Sequence, residues 1–411
     1  MGILARARGG ERPLTTQLPI RPAAPARASR ATAIFSGFFF LSGFTQTILV
    51  TVLPVVTLSV MHDAQAVSLV YVAVGLAGFL GRLGIPALTR VLGRVGVLML
   101  GVGALSLSLL LLWTETRGGV VIGLIFNVFA IACFEVVLTL HVLDYIPRPA
   151  LGRFEAVRIF YSALPWTLGP WLGVYLRENV AHWLPYLISV SMASLLLAAF
   201  WSLGFSGDPA TRTPPRRHSL SPALYLVRFF SQPRLRLGWA LAVGRSSWWG
   251  MFQVYAPIYA IQSGLGAETG GAIVSIGIGW IWLVPLWGWL GRLYGLRQLL
   301  IVGYGSAALI TIAAAALMGA PVVGAVMLLI AAFCTEIIDG AGNSLYLRAV
   351  HPYERSEMTA VFVSYRDFSQ FAPPAVFSVV LSVFQLPAVF VTGGIMMLGM
   401  TALCRYIPKR F

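Results

Sequence analysis

The 411-residue chain is 58% hydrophobic and 12% aromatic, with only 10% charged residues and a mean hydropathy of +0.82; a soluble domain carries about 25% charged residues, so a water-soluble fold is excluded. Apolar runs of about 20 residues or more, each long enough to cross a ~30 Å hydrocarbon core, make it a bundle of membrane-spanning helices, and the ~10-residue alternation of a membrane barrel does not fit. The net charge of +15 marks membrane orientation rather than nucleic-acid binding, because what matters is where the arginines sit along the chain.

Residues 1–32 carry Arg6, Arg8, Arg12, Arg21, Arg27 and Arg30 among prolines and lack a signal peptide's apolar core and cleavage site, so they read as a disordered basic cytoplasmic tail. Spans follow at 33–60, 66–88, 95–113, 119–146, 152–176 and 183–205, then at 235–261, 268–291, 297–317, 321–347, 356–383 and 386–406. That is an all-α polytopic protein of twelve spans: a six-helix bundle at 33–205, a cytoplasmic linker at 206–234 and a second six-helix bundle with its tail at 235–411. Within the linker, Leu224 to Phe230 fits a short amphipathic helix on the membrane surface. Cys133, Cys334 and Cys404 all lie in apolar runs, so neither a disulfide framework nor a metal site is expected.

The positive-inside rule tests this count, since a missed or invented span would scramble the bias. With the N-terminus inside, the cytoplasmic segments hold the tail arginines, Arg82, Arg90, Arg94, Arg148, Arg153, Arg212, Arg216, Arg217, Arg228, Arg234, Arg236, Arg292, Arg297, Arg348, Arg355, Arg405, Lys409 and Arg410. The outer loops hold only Arg117 and Arg177. Both termini and the linker are therefore expected in the cytoplasm, and the chain in the cell's inner (plasma) membrane.

The halves also repeat. Cys133-Phe134-Glu135 returns as Cys334-Thr335-Glu336, 201 residues on; Leu88 to Gly93 returns as Leu290 to Gly295, and Arg153-Phe154-Glu155 as Arg355-Ser356-Glu357, both 202 residues on. Three matches in register argue for a duplication about an axis along the membrane normal.

Twelve spans in two such halves, joined by a long basic loop, resemble the major facilitator superfamily of secondary transporters. Its best-known loop motif, between spans two and three, corresponds to Pro86 through Gly93-Arg94, echoed by Gly288 through Gly295. Arg90 and Arg292 stand where the family has aspartate, so the usual charge relay does not carry over, but Arg90, Arg94 and Arg292 remain gating candidates. In span five, Gly169-Pro170-Trp171-Leu172-Gly173 is similar to the Gly-Pro-x-x-Gly motif of antiporting exporters; proline removes a backbone donor and glycine admits a close neighbour. Pro373-Pro374 at the matching place makes a symmetric structural bend the competing reading. The arginine usual in span four of such exporters is replaced in the Ile125-Phe126-Asn127 region.

An ionisable group within a span costs about 2.5–3.5 kcal/mol on insertion scales, so each needs a cavity or a partner. Counted from the cytoplasmic end at 1.5 Å per residue, Glu135 lies roughly 16 Å deep and Glu336 about 18 Å. The resemblance puts them on spans four and ten, which with spans one and seven line the family's central cavity. Glu336, Asp339 and Asn343 make one stripe on span ten, Arg245, Trp249, Phe252 and Tyr259 another on span seven, and span one adds Gln46. Glu135, Glu336 and Asp339 are the proton-coupling candidates, because burial favours a carboxyl's neutral form and a water path or bound cation favours the anion. Gln46, Asn127, Arg245, Trp249, Phe252, Tyr259, Asn343 and Arg366 are the substrate-binding candidates. Arg153, Glu155, Arg355 and Glu357 read as a latch between the halves at the cytoplasmic surface, alongside Gly169 and Pro170 as a gate. Against these stand plainer readings: acids and arginines that only pair with one another, aromatics that only pack, and His141 as a satisfied buried imidazole.

The chain has no GxxxxGK[ST], HExxH or GxSxG motif, and its loops are too short for a catalytic domain, so an enzyme and a resident cofactor are not expected. The leading expectation is a monomeric proton-coupled transporter exporting an amphipathic small molecule, cationic ones included. The alternatives are proton-coupled uptake of a small organic solute, with Arg245 receiving a carboxylate, and a non-transporting assembly or sensing partner.

Overall fold

The computed structural model describes residues 25–146, 150–203, 222–341, 343–351 and 355–408, and among them every regular element is helical. The α-helices are α1 (Pro25–Val50), α2 (Val52–Met61), α3 (Ala64–Trp113), α4 (Arg117–Tyr145), α5 (Leu151–Asn179), α6 (Leu184–Ser202), α7 (Pro222–Ser231), α8 (Pro233–Gln262), α9 (Ala267–Gly279), α10 (Val284–Tyr294), α11 (Leu296–Leu317), α12 (Pro321–Ala341), α13 (Ser344–Ala349), α14 (Arg355–Leu381) and α15 (Pro387–Leu403). A 3₁₀ turn, Trp280–Leu283, joins α9 to α10.

Local chemistry sets the ends. The Asp63 carboxylate accepts the Ala66 N–H at 3.2 Å to open α3, and Thr116 Oγ1 accepts the Gly119 N–H at 3.1 Å to open α4. Proline stands in the first turn of α6, α8 and α15, where its missing N–H is not needed. Spans two and three run together as α3 except at Gly93, whose φ of 70° breaks the helix; Gly295, 202 residues on, turns with a φ of 90° before α11.

Eight helical stretches are long and apolar enough to cross a membrane, and α3 is long enough for two spans. The remaining spans, α5, α8 and α14, fall short on apolarity because each carries a polar or proline-bearing face. Twelve spans are thus accounted for, and three of them are interrupted. Span one breaks at Thr51 between α1 and α2, span eight at the 3₁₀ turn, and span ten after Ala341. The tail expected to be disordered through residue 32 is helical from Pro25, because Ala-Arg-Ala-Ser-Arg-Ala-Thr-Ala is a good helix-forming run that extends α1; residues 1–24 lie outside the described residues, as do 204–221 of the linker. Helix α7 seats Phe229 against Leu235 and Met358 and turns Leu226 and Val227 outward.

Two large apolar cores result, besides the smaller cluster around Phe229. One joins α1 and α3–α6 through Phe35, Leu105, Phe134 and Phe200. The other joins α8–α15 through Trp248, Tyr255, Leu328 and Phe390, and it also takes Leu58, Ala64 and Val67 from the ends of α2 and α3.

Glycine sets the spacing of α1 and α5: a Cβ on Gly173 would collide with the Ile48 carbonyl oxygen. Gly173→Val is expected to lower stability by about 1–3 kcal/mol through overpacking, read as a drop in melting temperature in detergent. Gly103→Ala, where a Cβ meets nothing within 4 Å, should leave it unchanged. Equal melting temperatures for the two variants would refute the close α1–α5 contact.

Candidate functional site

The halves meet along a seam of α3 with α14 and α5 with α9. Small residues let the backbones close up there: a Cβ on Gly75 would lie 2.6 Å from the Gln370 carbonyl oxygen, and one on Gly271 3.1 Å from that of Pro170. Polar contacts cross the same seam. The Trp171 N–H donates to Ser275 Oγ at 2.8 Å, the Ser68 and Tyr255 hydroxyls meet at 2.7 Å, and Asn179 Nδ2 donates to Glu268 at 3.3 Å. All three lie toward the end that carries the short loops at His62 and Gly264.

Beside the seam is a cavity of ≈ 450 Å³, within the range of small-molecule sites. Its walls come from α1–α5, α8, α12 and α14. One wall carries Gln46, Tyr71, Asn127 and Trp166; the other carries Trp249, Gln253, Gln370 and Phe377.

A layer of charge crosses the cavity. Arg82 of α3 donates from Nη2 to Glu135 of α4 at 3.1 Å and from Nε to Asp367 of α14 at 3.2 Å, so one guanidinium ties the halves together. Arg245 of α8 pairs with Asp339 of α12 at 3.1 Å, and Trp249 Nε1 donates to the other carboxylate oxygen at 2.9 Å. The Tyr365 hydroxyl accepts from Arg366 Nε at 3.3 Å and from Arg245 Nη2 at 3.5 Å. Taking charges out of water is costly unless geometry and hydrogen bonds repay it, and these side chains repay it to one another. The arrangement can bind a polar solute, and it can exchange a proton for an ion pair at a carboxylate.

The candidates from the sequence divide. Gln46, Asn127, Glu135, Arg245, Trp249, Asp339 and Arg366 all line the cavity. Glu336 does not; it is 3% exposed behind the wall, and its Oε2 has no hydrogen-bond partner. Phe252 is fully buried and stacks on Trp248 at 5.2 Å, while the Tyr259 hydroxyl donates to the Pro321 carbonyl at 3.0 Å, at the turn between α11 and α12. The cavity face of α8 takes Arg245, Ser246, Trp249 and Gln253, so of the stripe Arg245, Trp249, Phe252 and Tyr259 the first two face the cavity and the last two turn into the core. Asn343 leaves its stripe because α12 ends at Ala341; it precedes α13 without a side-chain capping bond, and Arg245 Nη2 donates to its Oδ1 at 3.5 Å.

The gate residues divide as well. Arg94 pairs with Asp144 at 2.6 Å within the first half. Arg90 and Arg292 are exposed. Glu155 accepts from Arg158, one turn along the same helix, at 2.7 and 3.0 Å. The side chains of Arg153, Arg355 and Glu357 lie outside the described ones. Gly169 packs on Thr47 of α1, and Pro170 sits at the α5–α9 contact. His141 is buried, with Nδ1 at 2.8 Å from the Val137 carbonyl and its ring edge-on to Phe200.

Arg82, Asp367, Tyr365 and Gln370 belong to the site and were not among the sequence candidates. Arg82 was counted as an orientation marker, yet it lies six residues inside span two, while Arg90 and Arg94 already flank that span. That depth is the signal that separates it from them.

The Major Facilitator Superfamily profile matches residues 35–374. Among solved structures the chain is similar to the nucleoside transporter NupG, with a TM-score of 0.69 at 11% identity over 91% of this chain and 99% of that one. It is similar to the peptide transporter POT, with a TM-score of 0.69 at 13% identity over 93% and 94%. A D-xylose-proton symporter gives 0.68 at 13% over 93% and 98%. These identities speak for the fold alone. No curated protein sequence matches the chain. The family match runs from α1 into α14, well over half of the chain, and the chain belongs to the Major Facilitator Superfamily, as a multi-pass membrane transporter rather than an enzyme.

Proposed function

We propose that this transporter couples proton movement to the export of an amphipathic small molecule by alternating access. The segments 33–205 and 235–411 are the two bodies that rock about the cavity, tied by the linker 206–234. The chain works as a monomer in the cell's inner membrane with both termini in the cytoplasm, a reading that rests on the arginine bias of its loops.

The observation that carries the coupling is the charge layer across the seam. Arg82 is shared by Glu135 and Asp367, so a proton taken by either carboxylate removes one of its two anions and loosens the tie between the halves. On α12, Asp339 faces the cavity and Glu336 lies one turn behind it. Two close carboxyls cannot both ionise cheaply in a low dielectric, and a buried carboxyl without a cation is cheaper protonated until water reaches it. Glu336 and Asp339 are therefore the pair assigned to the carried proton, with Glu135 as the sensor at the seam.

The export direction rests on the likeness of Gly169-Pro170-x-x-Gly173 to the exporter motif. Proton-coupled uptake is the second reading, favoured by the three arginines in the cavity wall; similar folds include a D-xylose-proton symporter and a peptide transporter.

Two measurements test this. Proteoliposomes with a pH-sensitive dye inside, given a proton gradient and screened with lipophilic cations and organic acids, should show solute-dependent proton flux in the wild type and at least about tenfold less in Glu336→Gln. The sign of the internal pH change separates export from uptake, and equal flux in the variant would remove Glu336 from the mechanism. For orientation, the three native cysteines are buried, so a membrane-impermeant maleimide reports introduced ones. It should label Arg117→Cys in intact cells and Arg405→Cys only after lysis; the reverse order would overturn the topology.

A further inference from the structure

Three arginines line the cavity, and one of them has no carboxylate within ion-pair distance among the described residues, Glu135 and Asp367 attracting it only from farther off. Arg82 has two acidic partners and Arg245 has Asp339. Among the described residues Arg366 makes no ion pair; its Nε donates to the Tyr365 hydroxyl at 3.3 Å, and its guanidinium stands 5.9 Å from that ring's centre. The same hydroxyl accepts from Arg245 at 3.5 Å. One neutral phenol thus serves two guanidiniums and neutralises neither. Arg366 is nevertheless exposed, and the cavity is what it is exposed to. A guanidinium cannot shed its charge, and its planar fork matches a carboxylate in two parallel hydrogen bonds.

Across the cavity, Asn127 is 2% exposed and its Nδ2 donor has no hydrogen-bond partner. The lining also offers apolar surface, from Trp166, Trp249, Val254 and Phe377, beside the polar Gln46, Gln253 and Gln370. A ligand that satisfies both ends carries an anion at one end, an acceptor at the other and an apolar body between.

We infer that the cavity binds a small organic monocarboxylate, its carboxylate forked onto Arg366 and its far acceptor taking the Asn127 amide. This deepens, and rests on, the reading of the cavity as the transport site. The charge count favours a monoanion. The layer holds Arg82, Arg245 and Arg366 against Glu135, Asp339 and Asp367, so a single added negative charge is offset by a single proton taken up at one of the carboxylates, whereas a dianion needs two.

The test is isothermal titration of the full chain in nanodiscs with 4-acetylphenylacetate and 4-methoxyphenylacetate, whose far oxygen supplies the acceptor, each beside its primary amide, which keeps the shape and drops the charge. The acids should bind about tenfold to a hundredfold more tightly than the amides, the range expected of charge-assisted hydrogen bonds. Arg366→Gln should bring that ratio close to one, and Arg366→Lys should keep part of it; the melting temperature of each unliganded variant reports its folding. The wild-type ratio needs no variant, so the proposal stands or falls even if Arg366→Gln does not fold. Amides that bind as tightly as the acids, a panel in which no acid binds, or an acid preference that survives in folded Arg366→Gln would each overturn it. Acids that bind but drive no proton flux in proteoliposomes would sink the transport reading and leave the binding site intact.

Discussion

Arg82 takes a carboxylate from each half of the molecule, Glu135 on its own side and Asp367 across the seam, and it does so in a hydrocarbon-depth layer where a lone guanidinium would be far more costly than in water. The demand that such charges be paired organises what surrounds them. For Arg82 to reach Asp367, α3 and α14 must run close together, and Gly75 provides the clearance against the Gln370 backbone. Phe79 and Phe371, with ring centres 6.2 Å apart, lie along the same line of contact. Charge and packing are thus one constraint: a larger residue at Gly75 would part the helices and strand the ion pair.

The breaks in the helices obey a second rule, that irregular backbone at membrane depth is tolerated where it is buried in protein or lines a cavity. Span one breaks at Thr51, which is fully buried, beside the wall residues Val50 and Leu53. Span ten ends its first helix two residues after Asp339, so the side chain that pairs with Arg245 is presented from the last turn of α12 rather than from mid-helix. Gly340, in the same turn, leaves room for Trp287 of α10. The halves therefore differ where the repeat in the sequence makes them look alike. Glu135 faces the cavity, while Glu336, its counterpart 201 residues on, lies behind the wall.

Hydrophobic run length made most of the span count legible, since spans are set by the thickness of the hydrocarbon, while α5, α8 and α14, with their polar or proline-bearing faces, satisfy that length without being as apolar. The site was legible only where a polar residue had no alternative. Glu135, Asp339, Arg245 and Arg366 stand out in apolar runs and do line the cavity. Helical spacing alone did not find the correct face of α8, because Phe252 and Tyr259 are as content in a protein core as in a cavity wall, and the rotation of a helix is decided by its neighbours. Asn343 fell out of its stripe at a helix break that Gly340 and Gly342, just before it, do announce. Glu155 has a partner that its spacing already offered, Arg158 one turn along the same face.

The chain has one lysine, Lys409, and every cation in the cavity layer is an arginine. This matters for mechanism, because a guanidinium keeps its proton while an ammonium in low dielectric readily gives one up. Among the charged groups of that layer, only the carboxylates can exchange protons; the arginines are fixed charges that must find new partners whenever a carboxylate is neutralised. Asp339, Arg245, Tyr365 and Arg366 form a continuous chain of contacts at 3.1, 3.5 and 3.3 Å. On the proposed coupling, a proton on Asp339 frees Arg245, which then competes for the Tyr365 hydroxyl that Arg366 uses, and Arg366 turns to an anion in the cavity. The proton and solute sites of that scheme are distinct groups, and the one phenol they share is what links them.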